Sequence, residues 1–362
     1  MPAPTGGPDL TAIELPDLEA RFRDLGIAPF HARQVFRWVH RHGVMNPEEM
    51  TDLSRELRAR LSAECVATAP RLVSRDVSVD GTQKFLLELA DGRRIESVFI
   101  PDTPAMTFCI SSQVGCAMDC GFCLTGKMGF VRNLTAGEIV AQVRVLATAL
   151  DLLDARFNIV LMGMGEPLHN YDAVMKALRI LADEHGLAVN PRRVTLSTVG
   201  VLPALERLAT EPLMPNLAIS LHATTEEQRD HLVPINRKYG LKELLDACRR
   251  FPVKRRERIT FEYVMLKDVN DTDDDARRLV RLLNGIKAKV NLLPLNEAAG
   301  IPYERPSDAR VNRFAQIVAE RGLTVSVRKS RGRDIRAACG QLITESTRQK
   351  SPAQRLASLI QI

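Results

Sequence analysis

Between residues 106 and 328 the chain repeats one pattern. A short apolar run of strand length is followed by a longer stretch whose apolar positions have helical spacing. The strand-like runs are 106–111, 158–162, 193–197, 216–221, 258–265 and 289–293, with a further one at 323–328. Helical stretches fall between most of them. One begins at Thr135, with Glu138 placed to close a capping box; another follows Asn170 and covers 171–182; a third spans 272–283. Parallel strands joined by crossover helices carry their chemistry at the strand C-terminal ends. Six such units predict an α/β fold, a partial (β/α)6 barrel open on one side.

Two smaller zones precede this core. In the first, residues 1–70, the segments 31–40 and 53–61 read as helices of a small domain. Val35, Phe36, Trp38 and Val39 form an apolar face, which makes Trp38 a core residue, with Arg33, Arg37, His40 and Arg41 on the other faces. Those cations suit either a phosphate contact or ordinary solvated surface. In the second zone, 71–101, runs 84–89 and 94–100 alternate in strand fashion about Asp91-Gly92, predicting a β-hairpin. The core then occupies 102–345 and a tail 346–362.

No apolar run approaches the roughly 18 residues that cross a membrane. The first ten residues lack the basic and apolar regions of a secretory signal, so a cytoplasmic protein is expected. The formal charge of +6 hints at a polyanionic partner.

In that compartment clustered cysteines point to metal binding or catalysis. Cys65 and Cys248 stand alone in helix-like segments and read as buried small hydrophobes. Cys116, Cys120 and Cys123 follow the first core strand in a loop with Gly115 and Gly121. An Fe–S cubane takes four ligands, so three thiolates leave one iron open to a chelating substrate. The alternatives are a zinc site completed by Cys109 or a distant His, and a disulfide.

The later strand ends add polar groups. Gly163, Gly165 and Glu166 close the second strand; the glycines admit close approach to the backbone, and Glu166 is either a ligand contact or a solvated turn residue. Ser197, then Ser220, Leu221 and His222, and finally Asn296 follow at successive ends. Taken singly they suit caps and turns, and His222 a structural histidine; together they suit one shared ligand. Cys109 lies in the first strand, and Cys339 in a basic, glycine-containing segment, 328–342, that reads as a mobile loop. Its cations would favour a thiolate, although an isolated cysteine is more often inert.

The CxxxCxxC loop after the first strand of a partial barrel resembles the radical SAM superfamily. The segments 110–126, 129–134, 234–239 and 289–294, with the Cys339 segment, are similar to its adenosine-C2 RNA methyltransferase branch; the similarity runs from about residue 29 to 342. Lys127 replaces a common Gln. The resemblance implies a [4Fe-4S] cluster on Cys116, Cys120 and Cys123. It also implies S-adenosyl-L-methionine (SAM), two per turnover, bound by Gly165, Glu166, Ser197, Ser220, Leu221, His222 and Asn296. Cys339 would carry a methyl group, a radical made from the second SAM would activate it toward adenine, and Cys109 would release the product through a transient disulfide. Glu96 matches the family's proton acceptor. Implied partners are 23S rRNA (adenosine 2503), tRNA (adenosine 37) and a reducing system such as flavodoxin or ferredoxin, with the chain a monomer. Residues 1–70, Arg132 and 328–336 are candidate RNA contacts. The alternatives are methylation at adenine C8 and a non-catalytic Fe–S or zinc RNA-binding protein.

Overall fold

The computed structural model describes residues 8–101, 105–254 and 256–344. The expected tail lies outside them. Three helices open the chain: α1 (Leu15–Asp24), α2 (Pro29–His40) and α3 (Arg55–Glu64). Proline in the first turn of α1 and α2 costs no hydrogen bond, because that N–H has no helical partner. Leu18, Phe22, Val35, Phe36, Val39 and Leu61 bury against one another, and Trp38 packs half-buried at their edge. Cys65 caps α3 and is half-buried, so it is neither helical nor fully buried as expected.

The antiparallel zone holds one strand more than predicted. β1 (Arg71–Val77) pairs with β2 (Gln83–Glu88), and β2 with β3 (Arg94–Ile100). β1 is largely exposed, so its sequence carries little apolar alternation to read. β3 in turn pairs antiparallel with β4 (Thr107–Cys109), the first core strand. The meander and the core therefore share one ten-stranded sheet.

From β4 onward all neighbours in that sheet are parallel. They run β7 (Asn158–Leu161), β8 (Val194–Thr198), β9 (Asn216–Ser220), β10 (Ile259–Met265), β11 (Ala288–Pro294) and β12 (Thr324–Val327). A separate two-stranded ribbon, β5 (Gln113–Gly115) and β6 (Phe130–Asn133), frames the cysteine loop and the short helix α4 (Leu124–Met128). The crossovers include α5 (Ala136–Ala149), α6 (Tyr171–Ala182), α7 (Leu202–Leu208), α8 (Glu226–Leu232), α9 (Leu241–Arg250), α10 (Asp273–Leu282) and α11 (Asp308–Glu320). The sheet order ends at β1 and β12 without joining them, which leaves the barrel open. Cys248 is buried in α9, as expected.

Alternation decides what fills this barrel. Ile159, Leu196, Ile219, Phe261, Val290 and Leu292 bury outward beneath the helices. Their neighbours in the same strands, among them Asn158, Thr195, Asn216, Thr260, Lys289 and Asn291, line an internal cavity. Closed (β/α)8 barrels pack their interior with branched apolar side chains. This one keeps a polar, hollow lumen.

The predicted capping box at Thr135 is present: Thr135 Oγ1 accepts from the Glu138 N–H at 3.1 Å, and Glu138 accepts from the Thr135 N–H at 2.8 Å. Thr135→Ala should lower unfolding free energy by about 1 kcal/mol in urea titrations, with unchanged m-value.

Candidate active site

The cysteine loop is drawn into place by backbone. The Cys116 N–H donates to the Gly129 carbonyl at 3.0 Å, and Gly115 turns with φ +75°, where an added Cβ would collide with that same Gly129 oxygen. The Gly121 N–H donates to the Leu232 carbonyl at 3.0 Å, anchoring the loop to α8. The Phe122 ring meets His222 edge-on at 4.7 Å. Cys116, Cys120 and Cys123 thereby line one cavity of about 960 Å³ at the strand C-terminal ends. Burial raises all three thiols above the ordinary range. Among the described residues no three His, Cys, Asp or Glu side chains are arranged to hold a single metal ion.

The strand-end residues converge on that cavity. Gly163, Gly165, Glu166, Ser197, Ser220, His222 and Asn296 all line it. Leu221 does not: its side chain is in the apolar core, and its backbone N–H donates to the Glu262 carbonyl at 3.0 Å. The two glycines serve their own chain first. A Cβ on Gly163 would sit 2.7 Å from the Ile110 carbonyl oxygen, and one on Gly165, at φ +104°, 2.6 Å from Gln113 Cβ. Glu166 is 3% exposed, which removes the solvated-turn reading. Its carboxylate accepts from the Leu168 and Val199 N–H groups, each at 2.9 Å, and burial pushes its pKa up to about 7. The Ser197 and Ser220 hydroxyls approach to 3.4 Å.

His222 is neutral. Burial, with Arg229 nearby, lowers its pKa to about 3, and its Nδ1 accepts from the Val264 N–H at 3.0 Å. It is thus a satisfied structural residue that also walls the cavity. Asn296 donates from Nδ2 to the Cys339 carbonyl at 3.4 Å, while its Oδ1 is buried without a partner. An orphaned acceptor of this kind calls for a ligand donor.

Cys339 is held rather than loose. The Leu124 N–H donates to the Gly340 carbonyl at 2.8 Å, and Thr125 Oγ1 donates to the Leu342 carbonyl at 2.7 Å. Gln341 Nε2 donates to the Glu297 carbonyl at 3.0 Å, and the Ile343 N–H to Glu96 at 2.8 Å. The expected mobile loop is a strap across the cysteine loop. Cys339 lines both the large cavity and a smaller adjoining pocket that it shares with Cys109. All seven cysteines are free thiols. Burial, reinforced by Cys339, pushes the Cys109 pKa up to about 12, against the pull of Arg328.

Glu96 departs from its simplest reading as a solvated strand residue. It is buried in β3, where burial raises its pKa. One carboxylate oxygen meets Lys84 Nζ at 3.0 Å, and the other takes the Ile343 N–H. Arg132 is spent on Asp91 and Glu138, all at 2.8 Å, so it is not a free RNA contact. Arg328 is also not a surface cation: it reaches into the barrel toward Cys339, Glu262 and Cys109.

Two residues escaped the sequence reading. Gln113 lies in the resembling segment but has no titratable signal; its Oε1 accepts the Glu166 N–H at 2.9 Å. Arg229, on α8, reads as a surface residue of a short polar helix, yet it is fully buried. It donates to the carbonyls of Val199 (2.6 Å), Leu221 (3.3 Å) and Ser220 (3.4 Å), and to Asn236 Oδ1 (2.8 Å). Arg229→Ala should destabilise the fold by about 3 kcal/mol in urea unfolding, because it orphans several buried acceptors.

Comparison with known proteins agrees with this geometry. Residues 110–282 match the Radical SAM superfamily, and residues 8–67 match the ribosomal RNA large subunit methyltransferase N-terminal domain. The dual-specificity RNA methyltransferase RlmN of Pelobacter propionicus is 49% identical over 92% of this chain and 95% of its own. Its counterpart from Jannaschia is 46% identical over 98% and 94%. A crystal structure of a radical SAM methyltransferase from Sphaerobacter thermophilus superposes with a TM-score of 0.88 at 46% identity, covering 92% of this chain and 98% of that one. The cofactors of such an enzyme are a [4Fe-4S] cluster and SAM. Three thiols lining one cavity beside a buried carboxylate and an unpartnered amide oxygen fit both. With fold, cavity and relatives in agreement, the chain belongs to the RlmN family of radical SAM methyltransferases.

Proposed function

We propose that this enzyme methylates C2 of adenosine in RNA, at adenosine 2503 of 23S rRNA and adenosine 37 of tRNA, through a methyl group carried on Cys339. The observation that carries the reading is the position of Cys339, which lines the cavity of Cys116, Cys120 and Cys123 and also the pocket of Cys109. A carrier thiol has to face both the site that activates its methyl group and the thiol that frees it.

In this reading Cys116, Cys120 and Cys123 hold the cluster. Glu166, Gly165, Ser197, Ser220, His222 and Asn296 bind SAM, whereas Leu221, whose backbone N–H and carbonyl are both taken, does not. When bound, the cluster supplies the electron that cleaves SAM to a radical able to take hydrogen from a methyl group. Adenine C2 is electron-poor and resists ordinary electrophilic methylation, which is why a radical route is needed. The Cys339 S-methyl group, having lost a hydrogen atom, bonds through carbon to C2. Attack by the Cys109 thiolate on Cys339 Sγ then forms the S–S bond and breaks the S–C bond; the one surplus electron of the radical adduct would return to the cluster, left oxidised by SAM cleavage, that Cys116, Cys120 and Cys123 would hold. The C2 proton passes to Glu96, and the freed carbon gains a proton to become the product methyl. Glu96 must first release Lys84 or the Ile343 N–H.

A reducing system such as flavodoxin or ferredoxin would supply electrons and reopen the disulfide. We place the protein in the cytoplasm as a monomer, with residues 1–70 as an RNA-binding unit; no helix among the described residues is long and apolar enough to cross a membrane.

Anaerobically reconstituted enzyme, given SAM, a reductant and unmodified 23S rRNA or tRNA, should yield 2-methyladenosine on mass spectrometry of the digest. An 8-methyladenosine product would reassign the carbon, and no methyladenosine despite SAM cleavage would remove RNA as substrate. Cys109→Ala should leave protein covalently joined to RNA on a denaturing gel, and Cys339→Ala should abolish methylation.

SAM affinity should also depend on pH. Glu166 has a raised pKa of about 7, and binding a SAM ammonium group favours its ionised form. Binding below that pH must expel a proton, so Kd should rise by up to about tenfold per pH unit below 7 and level off above it. Equilibrium dialysis from pH 5.5 to 8.5 measures this.

A further inference from the structure

The mouth at the strand C-terminal ends is roofed. The cysteine loop lies across it, and the strap 339–343 is bonded to that loop and to Glu96 and Glu297. Those contacts narrow the approach from that end, and a nucleotide carried on a large RNA needs an open way to the thiols.

The hollow lumen offers one. It spans about 1520 Å³, open to solvent, and is lined both by residues at strand N-terminal ends, Asn158, Arg193 and Asn216 among them, and by Met162 and the 326–331 segment at and after the end of β12. It meets the reaction cavity at shared walls: Met162, Glu262 and Arg328 line both. Arg328 and Arg331 also line the Cys109–Cys339 pocket.

The lumen is strongly cationic. Arg192, Arg193, Lys289, Arg328, Lys329 and Arg331 line it, against a single carboxylate, Glu262. Of the six, only Arg192 has a carboxylate within 4.0 Å among the described residues, Glu257 at 3.7 Å. Arg193 has just a 3.5 Å contact with Asn158, and the Arg331 Nε is buried with no partner. Elsewhere many arginines are paired, as Arg132, Arg179 and Arg310 show. Unpaired cations gathered in one cavity call for a polyanion. A second depression shares Arg193 with the lumen and includes Arg41 at the end of α2.

We infer that the substrate adenine enters through the lumen, from the open side and strand N-terminal end of the barrel. The cations hold the phosphates that flank it, and the unstacked base passes Glu262 and Arg328 to reach Cys339. This rests on the proposed RNA substrate, and it assigns a binding surface that the chemistry of the thiols does not require. It also explains the inward alternation: a packed apolar lumen would close this passage.

The test uses the whole, cluster-loaded protein and an unmodified tRNA transcript. Lysines are acetylated with and without the transcript, and the labelled peptides are read by mass spectrometry. Lys289 and Lys329 should be protected, and Lys238, on the roofed side, should not. Arg193→Glu and Lys289→Glu should each weaken transcript binding at least tenfold and lower the salt slope by about one, with Lys238→Glu within twofold of the parent. Protection of Lys238 with Lys289 and Lys329 still reactive would overturn the route, as would unchanged affinity in both lumen variants. If a variant does not fold, the footprint on unmutated protein decides alone. Parent enzyme that neither binds nor methylates RNA would overturn the substrate reading itself. RNA methylation without lumen protection overturns only the route.

Discussion

A guanidinium with no solvent around it has to be surrounded by acceptors, and Arg229 finds them at the ends of two adjacent strands. Its bonds to the Val199, Ser220 and Leu221 carbonyls and to Asn236 tie β8, β9 and the segment after α8 into one knot. Much of the site hangs from it. The Val199 N–H orients Glu166, Leu221 leads into His222, and His222 braces Phe122 of the cysteine loop. The loop that carries Cys116, Cys120 and Cys123 is thus positioned by polar contacts behind it as much as by its own turns.

A second group of contacts fixes the loop from the front. Gly163 and Gly165 let the 110–113 segment lie against the end of β7, and Gln113 bonds the Glu166 backbone. The glycines at this strand end are demanded by neighbouring chain rather than by ligand alone. A bound ligand then meets a surface whose shape is already set.

The sequence made the parallel core legible because its strands alternate with helices that carry strong starts, Thr135 and Thr272 among them. The cysteine loop and the strand-end residues were legible because spacing places them on one face. β1 was not, since an exposed edge strand needs no apolar pattern. Arg229 was not, because nothing local separates a buried arginine from a solvated one. Glu96 and Cys339 were named only through the family resemblance, because the contact that joins their segments spans 247 positions, which no local pattern reports. Arg132 shows the converse: a cation that looks available is already held by two carboxylates.

Those distant contacts set an order of events during synthesis. Asp334 accepts from the Ser78 hydroxyl and the Val79 N–H, and Asp80 accepts from the Gly332 N–H, across separations of 252 to 256 residues. The meander near the start of the chain is thus clasped by a segment near its end. Residues emerge from the ribosome in sequence order, so Cys109 is made long before Cys339. The pocket the two thiols share cannot exist on a nascent chain. Cys116, Cys120 and Cys123 are likewise made before the segment that bonds across their loop. Translation itself therefore leaves that loop uncovered at first, and the arrival of the strap covers it.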